Sequence, residues 1–119
     1  MDNKEFSKQL EYRTKRFAIE IIKLSSSLPN TSEGKVIKNQ ITKSGTSIGA
    51  NYREANRSRS KADFANKIKI CESEASETAY WIEIIADLNW IDLKKIQLIM
   101  NEANELLAIF TSAGKKLKL

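Results

Sequence analysis

The sequence predicts an all-α protein that forms a single domain over residues 1–119. One proline and four glycines supply too few turn residues for an all-β chain, and apolar residues recur at helical spacing. A chain of this length can bury one core but not two. Because four apolar stripes are joined by short connections, an antiparallel, up-down-up-down four-helix bundle is the simplest arrangement.

The first helix is predicted from about Lys4 to Ser27, because apolar residues alternate there with charged ones at helical spacing. Arg13 lies on the apolar stripe of this helix. Its pattern fits a partly exposed side chain with a packed stem, and a buried ion pair or an RNA contact are the alternatives. The helix is expected to break in residues 28–34, LPNTSEG, where a proline is followed by turn and cap residues.

The second helix is predicted from Ser32 or Glu33 to about Arg57. It contains Gly45 and Gly49, and each glycine costs about 1 kcal/mol relative to alanine inside a helix. Close approach of another helix would offset that cost, because a missing side chain lets two backbones pack tightly. The alternative is a kink or break near Gly45.

Small and polar residues form a second stripe on this helix, beside the apolar one. We expect it to hydrogen-bond to the third helix and to hold the two in register, through a network of Ser47, Asn51, Glu54, Glu74 and Glu77. Glu74 and Glu77 also resemble paired carboxylates for acid–base or metal chemistry. Carboxylates beside a helix stripe more often accept hydrogen bonds or stay solvated. Ser47, Asn51 and Arg53 are the expected donors.

Cap signals place the last two helices. Ser60 followed by Asp63 is close to a capping box, so the third helix should start there. Cys71 lies on the apolar stripe of that helix and is interpreted as a core residue, because no histidine is present to activate its thiol. The fourth helix should be capped by Asp92 and should end before Gly114.

The composition excludes several kinds of active site. The chain has no histidine, which removes Ser-His-Asp and Cys-His catalysis, histidine-ligated zinc and Glu-x-x-His di-iron sites. A single cysteine excludes a multi-thiolate zinc site and an intrachain disulfide. An enzyme that uses carboxylates, lysine or tyrosine, or no enzyme at all, is compatible with this composition. Of these we expect no enzyme, and hence no catalytic residue, metal or cofactor. No apolar run approaches the roughly 18 residues of a membrane span, and the start lacks a signal peptide, so a cytoplasmic protein without membrane contact is expected.

The net charge of +5 hides two regions of opposite sign. Residues 35–69 hold nine Lys or Arg and two acids, whereas residues 70–110 hold eight acids and two lysines. The nine cations, which we call the basic set, could neutralise the phosphates of RNA or DNA, or could pair with acidic helices of a neighbouring copy. They are Lys35, Lys38, Lys43, Arg53, Arg57, Arg59, Lys61, Lys67 and Lys69.

One stretch resembles a known family. Residues 44–81, SGTSIGANYREANRSRSKADFANKIKICESEASETAYW, are similar to the four-helix bundle proteins encoded by intervening sequences in bacterial 23S rRNA genes, and the similarity extends to FAIEIIKLSSSLP in the first helix. The resemblance implies a left-handed bundle that assembles as a pentamer around a central channel. It attaches no enzymatic activity. A more distant relative, the accessory protein of diversity-generating retroelements, is a basic pentamer that binds nucleic acid and reverse transcriptase.

From the sequence we therefore expect a non-enzymatic homo-oligomer that binds RNA or another nucleic acid through the basic set. The alternative is a protein–protein interaction scaffold in which the basic second helix pairs with the acidic helices of another subunit. An enzyme that uses Glu74 and Glu77 is the third hypothesis.

Overall fold

A computed structural model describes residues 2–117 and shows four α-helices without a β-strand in that range. The helices are α1 (Asn3–Ser26), α2 (Ser32–Ala55), α3 (Lys61–Asp87) and α4 (Leu93–Lys116). Each connection is five residues long, so consecutive helices have little freedom to separate. This all-α architecture confirms the predicted class and is compatible with a four-helix bundle.

The ends of the helices follow the predicted cap signals in part. Thr31 Oγ1 accepts a hydrogen bond from Gly34 N at the start of α2, and Ser60 Oγ accepts one from Asp63 N at the start of α3, as the sequence indicated. Asp92 occupies the cap position of α4, but its side chain forms no capping hydrogen bond. The predicted position of the cap is therefore confirmed, but the capping hydrogen bond is not formed.

The fourth helix is longer than predicted. It continues through Gly114 to Lys116, because Gly114 does not adopt the left-handed conformation that would end a helix. The second helix is shorter than predicted and ends at Ala55 instead of Arg57. The left-handed conformation is found instead at Asn89, with φ 57°, two residues after α3 ends.

Each helix contacts the next one along the chain, and α1 also contacts α4. The α1–α4 contact is the smallest of the four. The core between the helices is apolar and contains fully buried side chains from all of them, among them Ile21, Leu24, Ile41, Ile48, Ile68, Ile82, Ile85, Ile96, Leu106 and Phe110. No helix in residues 2–117 is long and apolar enough to cross a membrane.

The two glycines of α2 mark the closest approach to α1. A Cβ atom added to Gly45 would lie 2.7 Å from Ile21 Cγ2, and one added to Gly49 would lie 3.0 Å from Thr14 Oγ1. Helix α2 is unbroken through both positions. Close packing, and not a break, is therefore the reason for these glycines, and α1 is the helix that approaches.

Candidate functional site

The basic set lies on α2, on the connection 56–60 and on the first third of α3. Lys35, Lys38, Lys43 and Arg53 belong to α2, Arg57 and Arg59 to the connection, and Lys61, Lys67 and Lys69 to α3. Lys38 and Lys67 are half-buried and the other seven are exposed. All nine side chains can therefore reach solvent.

Arg53 is the member of the basic set that forms an ion pair within residues 2–117. Its Nε lies 3.6 Å from Glu11 Oε1, and Glu11 Oε2 also accepts a hydrogen bond of 2.9 Å from Asn56 Nδ2. The other eight have no carboxylate oxygen within 4 Å in the described part of the chain. Exposed, uncompensated cations are the groups that a polyanion neutralises.

The nine cations do not form one compact patch. Lys35 and Arg53 are 18 residues apart on one helix, which corresponds to roughly 27 Å along its axis. Lys43 lies close enough to Glu74 of α3 for its charge to oppose, without outweighing, the burial that raises the pKa of that carboxyl, whereas Arg53 reaches Glu11 of α1. The set therefore spans both sides of α2, with Arg57, Arg59 and Lys61 grouped where α2 gives way to α3.

The structure adds cations that the sequence alone did not place with this group. Lys15 of α1 lines a groove of about 490 Å³ together with Arg53 and Arg57. Lys116 of α4 lines a cavity with Arg59 and Lys61. These two lysines lie near the basic set because α1 and α4 pack beside the connection between α2 and α3. Their neighbours in the sequence give no indication of that position.

The polar stripe of α2 uses its hydrogen bonds differently from the prediction. Ser47 Oγ donates to the carbonyl of Lys43, and Asn51 Nδ2 donates to the carbonyl of Ser47, so both bonds stay within α2. Within residues 2–117 no hydrogen bond joins them, Arg53 or Glu54 to Glu74 or Glu77. Expecting these donors to reach α3 overlooked carbonyl groups one helical turn away, which are closer acceptors.

A buried pair provides the direct side-chain hydrogen bond between α2 and α3. Thr78 Oγ1 donates to the carbonyl oxygen of Glu74 at 2.7 Å and lies 2.9 Å from Ser44 Oγ, so the Ser44 hydroxyl is placed to donate to it. Both hydroxyl side chains are buried. The predicted polar network contained neither residue. Thr78 shares the apolar stripe of α3 with buried Cys71 and Ile82, so its spacing resembles that of a core residue.

The three glutamates of the predicted network differ in burial: Glu74 is half-buried, whereas Glu54 and Glu77 are exposed. Burial, and secondly the charge of Glu77, raises the pKa of Glu74 above its ordinary value. Glu77 is exposed and its Oε2 accepts a hydrogen bond of 3.2 Å from Trp81 Nε1 in its own helix. Glu54 is exposed and lines the groove that contains Lys15.

Cys71 is fully buried, as predicted for a core residue. Burial raises the pKa of its thiol to about 12, and Sγ contacts the carbonyl oxygen of Ile48 at 3.5 Å. A thiol that stays protonated and enclosed is a poor nucleophile. Within residues 2–117 no cluster of three or more acidic or cysteine side chains is placed to hold a metal ion.

Arg13 joins α1 to α4. Its Nε and Nη2 each lie 2.7 Å from a carboxylate oxygen of Glu102, and Nη2 is also 2.8 Å from Glu105 Oε1. These hydrogen bonds raise the pKa of the guanidinium further above its ordinary value. The side chain is one-third exposed, so the ion pair, and not an RNA contact, is what the structure shows.

The fold and its surface define an all-α protein of four helices whose net positive charge is concentrated on α2, the following connection and the start of α3. The chain belongs to the 23S rRNA-intervening sequence protein family, whose sequence profile matches residues 8–112. This confirms the resemblance seen in residues 44–81. No curated protein that was compared with the chain matches it.

A solved structure is similar over most of the chain. It is described as a protein with unknown function from the S23 ribosomal protein family of Bacteroides thetaiotaomicron VPI-5482. The two share 38% sequence identity and superpose with a TM-score of 0.81, over 88% of this chain and 97% of the other. The similarity covers all four helices and supports the same fold for both.

Proposed function

We propose that this chain is a non-enzymatic, oligomeric nucleic-acid-binding protein that contacts RNA through its basic set. One observation carries the proposal: all nine cations reach solvent, and Arg53 is the one that is paired with a carboxylate in residues 2–117. Cations without a partner in the chain are free to displace counterions from phosphates.

The mechanism is neutralisation of the phosphate backbone. Cations spread over roughly 27 Å of α2 suit an extended polyanion better than a compact anion. Affinity should depend steeply on salt and little on base sequence, because phosphates carry no sequence information directly. Arg57, Arg59 and Lys61 form the densest part of the set, so we expect the strongest contacts there.

For the assembly we propose an antiparallel, up-down-up-down, left-handed bundle that forms a pentamer, as the resemblance implies. The five-residue connections favour antiparallel neighbours. Large apolar side chains exposed on the single chain supply surface for contacts between copies; these include Val36, Tyr80, Leu88, Leu93 and Leu98. Repetition of the basic set around a ring would raise affinity for a long RNA through multivalency.

A double substitution, Arg57→Gln with Arg59→Gln, tests the proposal by filter retention of single-stranded RNA across a salt series that starts at about 50 mM. The plot of log affinity against log salt has a negative slope, and each lost phosphate contact should make it shallower by about 0.7. The matched control is Lys94→Gln with Lys95→Gln, which removes the same charge from exposed positions on α4 and should keep the native slope. Absence of retention at the lowest salt, or retention that salt does not weaken, would contradict RNA binding by this set.

The second candidate function is a protein interaction scaffold, and the opposite charges of residues 35–69 and 70–110 favour it. In that arrangement the basic helix of one copy pairs with acidic helices of another, and no cations remain for RNA. Light scattering across the same salt series separates the two functions. Assemblies held by charge should dissociate at high salt, whereas assemblies held by apolar packing should persist.

A further inference from the structure

Two cavities adjoin at the end of the fold where α2 ends, α3 begins and α4 ends. Each has a volume of about 590 Å³, within the range of small-molecule sites. Phe64 and Lys116 belong to the linings of both. A molecule that passes between these two side chains would therefore have one part in each cavity.

The first, which we call the apolar cavity, lies between α1 and α4 and reaches the core. Leu10, Ile68 and Phe110 are buried side chains in its lining, and half-exposed Phe6 stands at its edge. Tyr52 also lines it and packs edge-to-face on Phe110, with ring centroids 5.6 Å apart. This opening exists because α1 and α4 have the smallest contact of the fold.

Tyr52 contributes its ring to the lining of the apolar cavity and is 4% exposed. The buried side-chain oxygen without a hydrogen-bond partner in residues 2–117 is Ser58 Oγ in the neighbouring cavity, and not the hydroxyl of Tyr52. Glu105, the acid in this lining, is already paired with Arg13 at 2.8 Å.

The second, which we call the basic cavity, is lined by Arg59, Lys61 and Lys116 without a carboxylate in its described lining. Ser58 contributes a buried Oγ that has no hydrogen-bond partner within residues 2–117. Three cations and an unpaired hydroxyl, gathered without a compensating acid among the described lining residues, favour an anionic group. Charge and polarity thus change sharply from one cavity to the other at Phe64 and Lys116.

We propose that the paired cavities bind an amphipathic anion of the aliphatic carboxylate class. Its alkyl chain occupies the apolar cavity and its carboxylate lies among Arg59, Lys61 and Lys116. The lining of the apolar cavity is mainly aliphatic and aromatic, although Asn3, Ser7 and Ser112 also belong to it. This composition favours an alkyl chain over a nucleobase, whose edges need several hydrogen-bonding partners. This site does not depend on the proposed RNA binding, although a bound carboxylate would neutralise cations of the same basic set.

Isothermal titration calorimetry of the full chain with dodecanoate, below the concentration at which it forms micelles, tests the site. We expect saturable binding with one dodecanoate per chain. Dodecanol, which has the same chain without the charge, should bind about tenfold more weakly. Lys116→Gln should reduce that preference for the anion, whereas Lys94→Gln at the opposite end of α4 should keep it.

Two variants that fill the apolar cavity complete the experiment. Ala113→Phe and the exposed Ser112→Trp add volume to its lining, and each should abolish dodecanoate binding while the circular dichroism of the helices is retained. The proposal is overturned if dodecanoate shows no saturable binding, if both folded variants bind it as the native chain does, or if dodecanol binds equally well. Tighter binding of adenosine monophosphate than of dodecanoate would also overturn it, in favour of a nucleotide site.

Discussion

Helix α1 contacts its two neighbours by opposite means. Against α2 it packs so closely that a Cβ atom at Gly45 would clash with Ile21 and one at Gly49 would press tightly on Thr14. Against α4 the contact is small, is crossed by the ion pair of Arg13, and leaves a cavity of about 590 Å³ open to solvent. The comparison shows that one helix can be held on one side by the close packing of two helix backbones and on the other side mainly by an ion pair.

The largest expected effect comes from breaking the close contact. Gly45→Val would place methyl groups against Ile21, which is fully buried and β-branched and so has little freedom to move. The free energy of unfolding should fall by about 3 kcal/mol, the upper part of the range for overpacked cores. Urea denaturation followed by circular dichroism measures it.

Gly114→Ala is the control for that substitution. A Cβ atom at position 114 would meet nothing closer than Glu72 Oε1 at 3.9 Å. The free energy of unfolding should therefore rise by about 0.5 kcal/mol through helix propensity alone. Equal urea midpoints for Gly45→Val and the native chain would contradict the close approach of α1 to α2.

A smaller effect is expected at the α1–α4 contact. Arg13→Gln removes the ion pair with Glu102 and Glu105. Because all three side chains are partly exposed, the free energy of unfolding should fall by about 1 kcal/mol. Arg16→Gln removes only an exposed pair with Glu20 at 3.7 Å and should cost less than about 0.5 kcal/mol. Urea denaturation measures the free energy of unfolding of both variants. Equal decreases for the two would show that the ion pair of Arg13 does not stabilise the α1–α4 contact.

The smallest expected change in stability concerns Glu74, on the side of α3 that faces α2. It allows the α2–α3 contact to be compared with the α1–α2 and α1–α4 contacts. Because burial raises the pKa of Glu74 in the folded chain, the folded state holds a proton that the unfolded chain has already released. Its contribution to stability therefore falls as pH rises from about 4.3, the ordinary pKa of glutamate, through the raised value.

Glu74→Gln should remove that pH dependence and should raise the free energy of unfolding at pH 7 by less than about 1 kcal/mol, since the side chain is half-exposed. The measurement is urea denaturation at several pH values between 4 and 7. The exposed Glu83→Gln on the same helix is the control and should leave the pH profile unchanged. A Glu74→Gln profile parallel to the native one would contradict the assigned burial.

Local rules explain which features the sequence predicted well. The starts of α2 and α3 and the burial of Cys71 follow from caps and helical spacing, which depend on neighbouring residues. The sequence also indicated that Gly45 and Gly49 meet another helix. It did not show that this helix is α1, because spacing within one helix carries no information about its partner.

The features that the sequence missed depend on the three-dimensional arrangement. Arg13 could be paired with Glu102 only once α1 and α4 were known to be neighbours. The hydrogen bonds of Ser47 and Asn51 turned out to be local, since nearby carbonyl groups compete with partners on α3. Gly114 resembled a helix end but keeps a helical conformation, so α4 continues past it.

The Arg13–Glu102 pair also bears on the order of folding. It joins residues 89 positions apart, whereas the other helix contacts connect neighbours through five-residue turns. The entropy of closing a loop grows with its length, so the chain can assemble its sequential helix pairs before α1 meets α4. A contact made after the rate-limiting step influences mainly the unfolding rate. The ion pair would then lengthen the lifetime of the folded chain and have little influence on how quickly it forms.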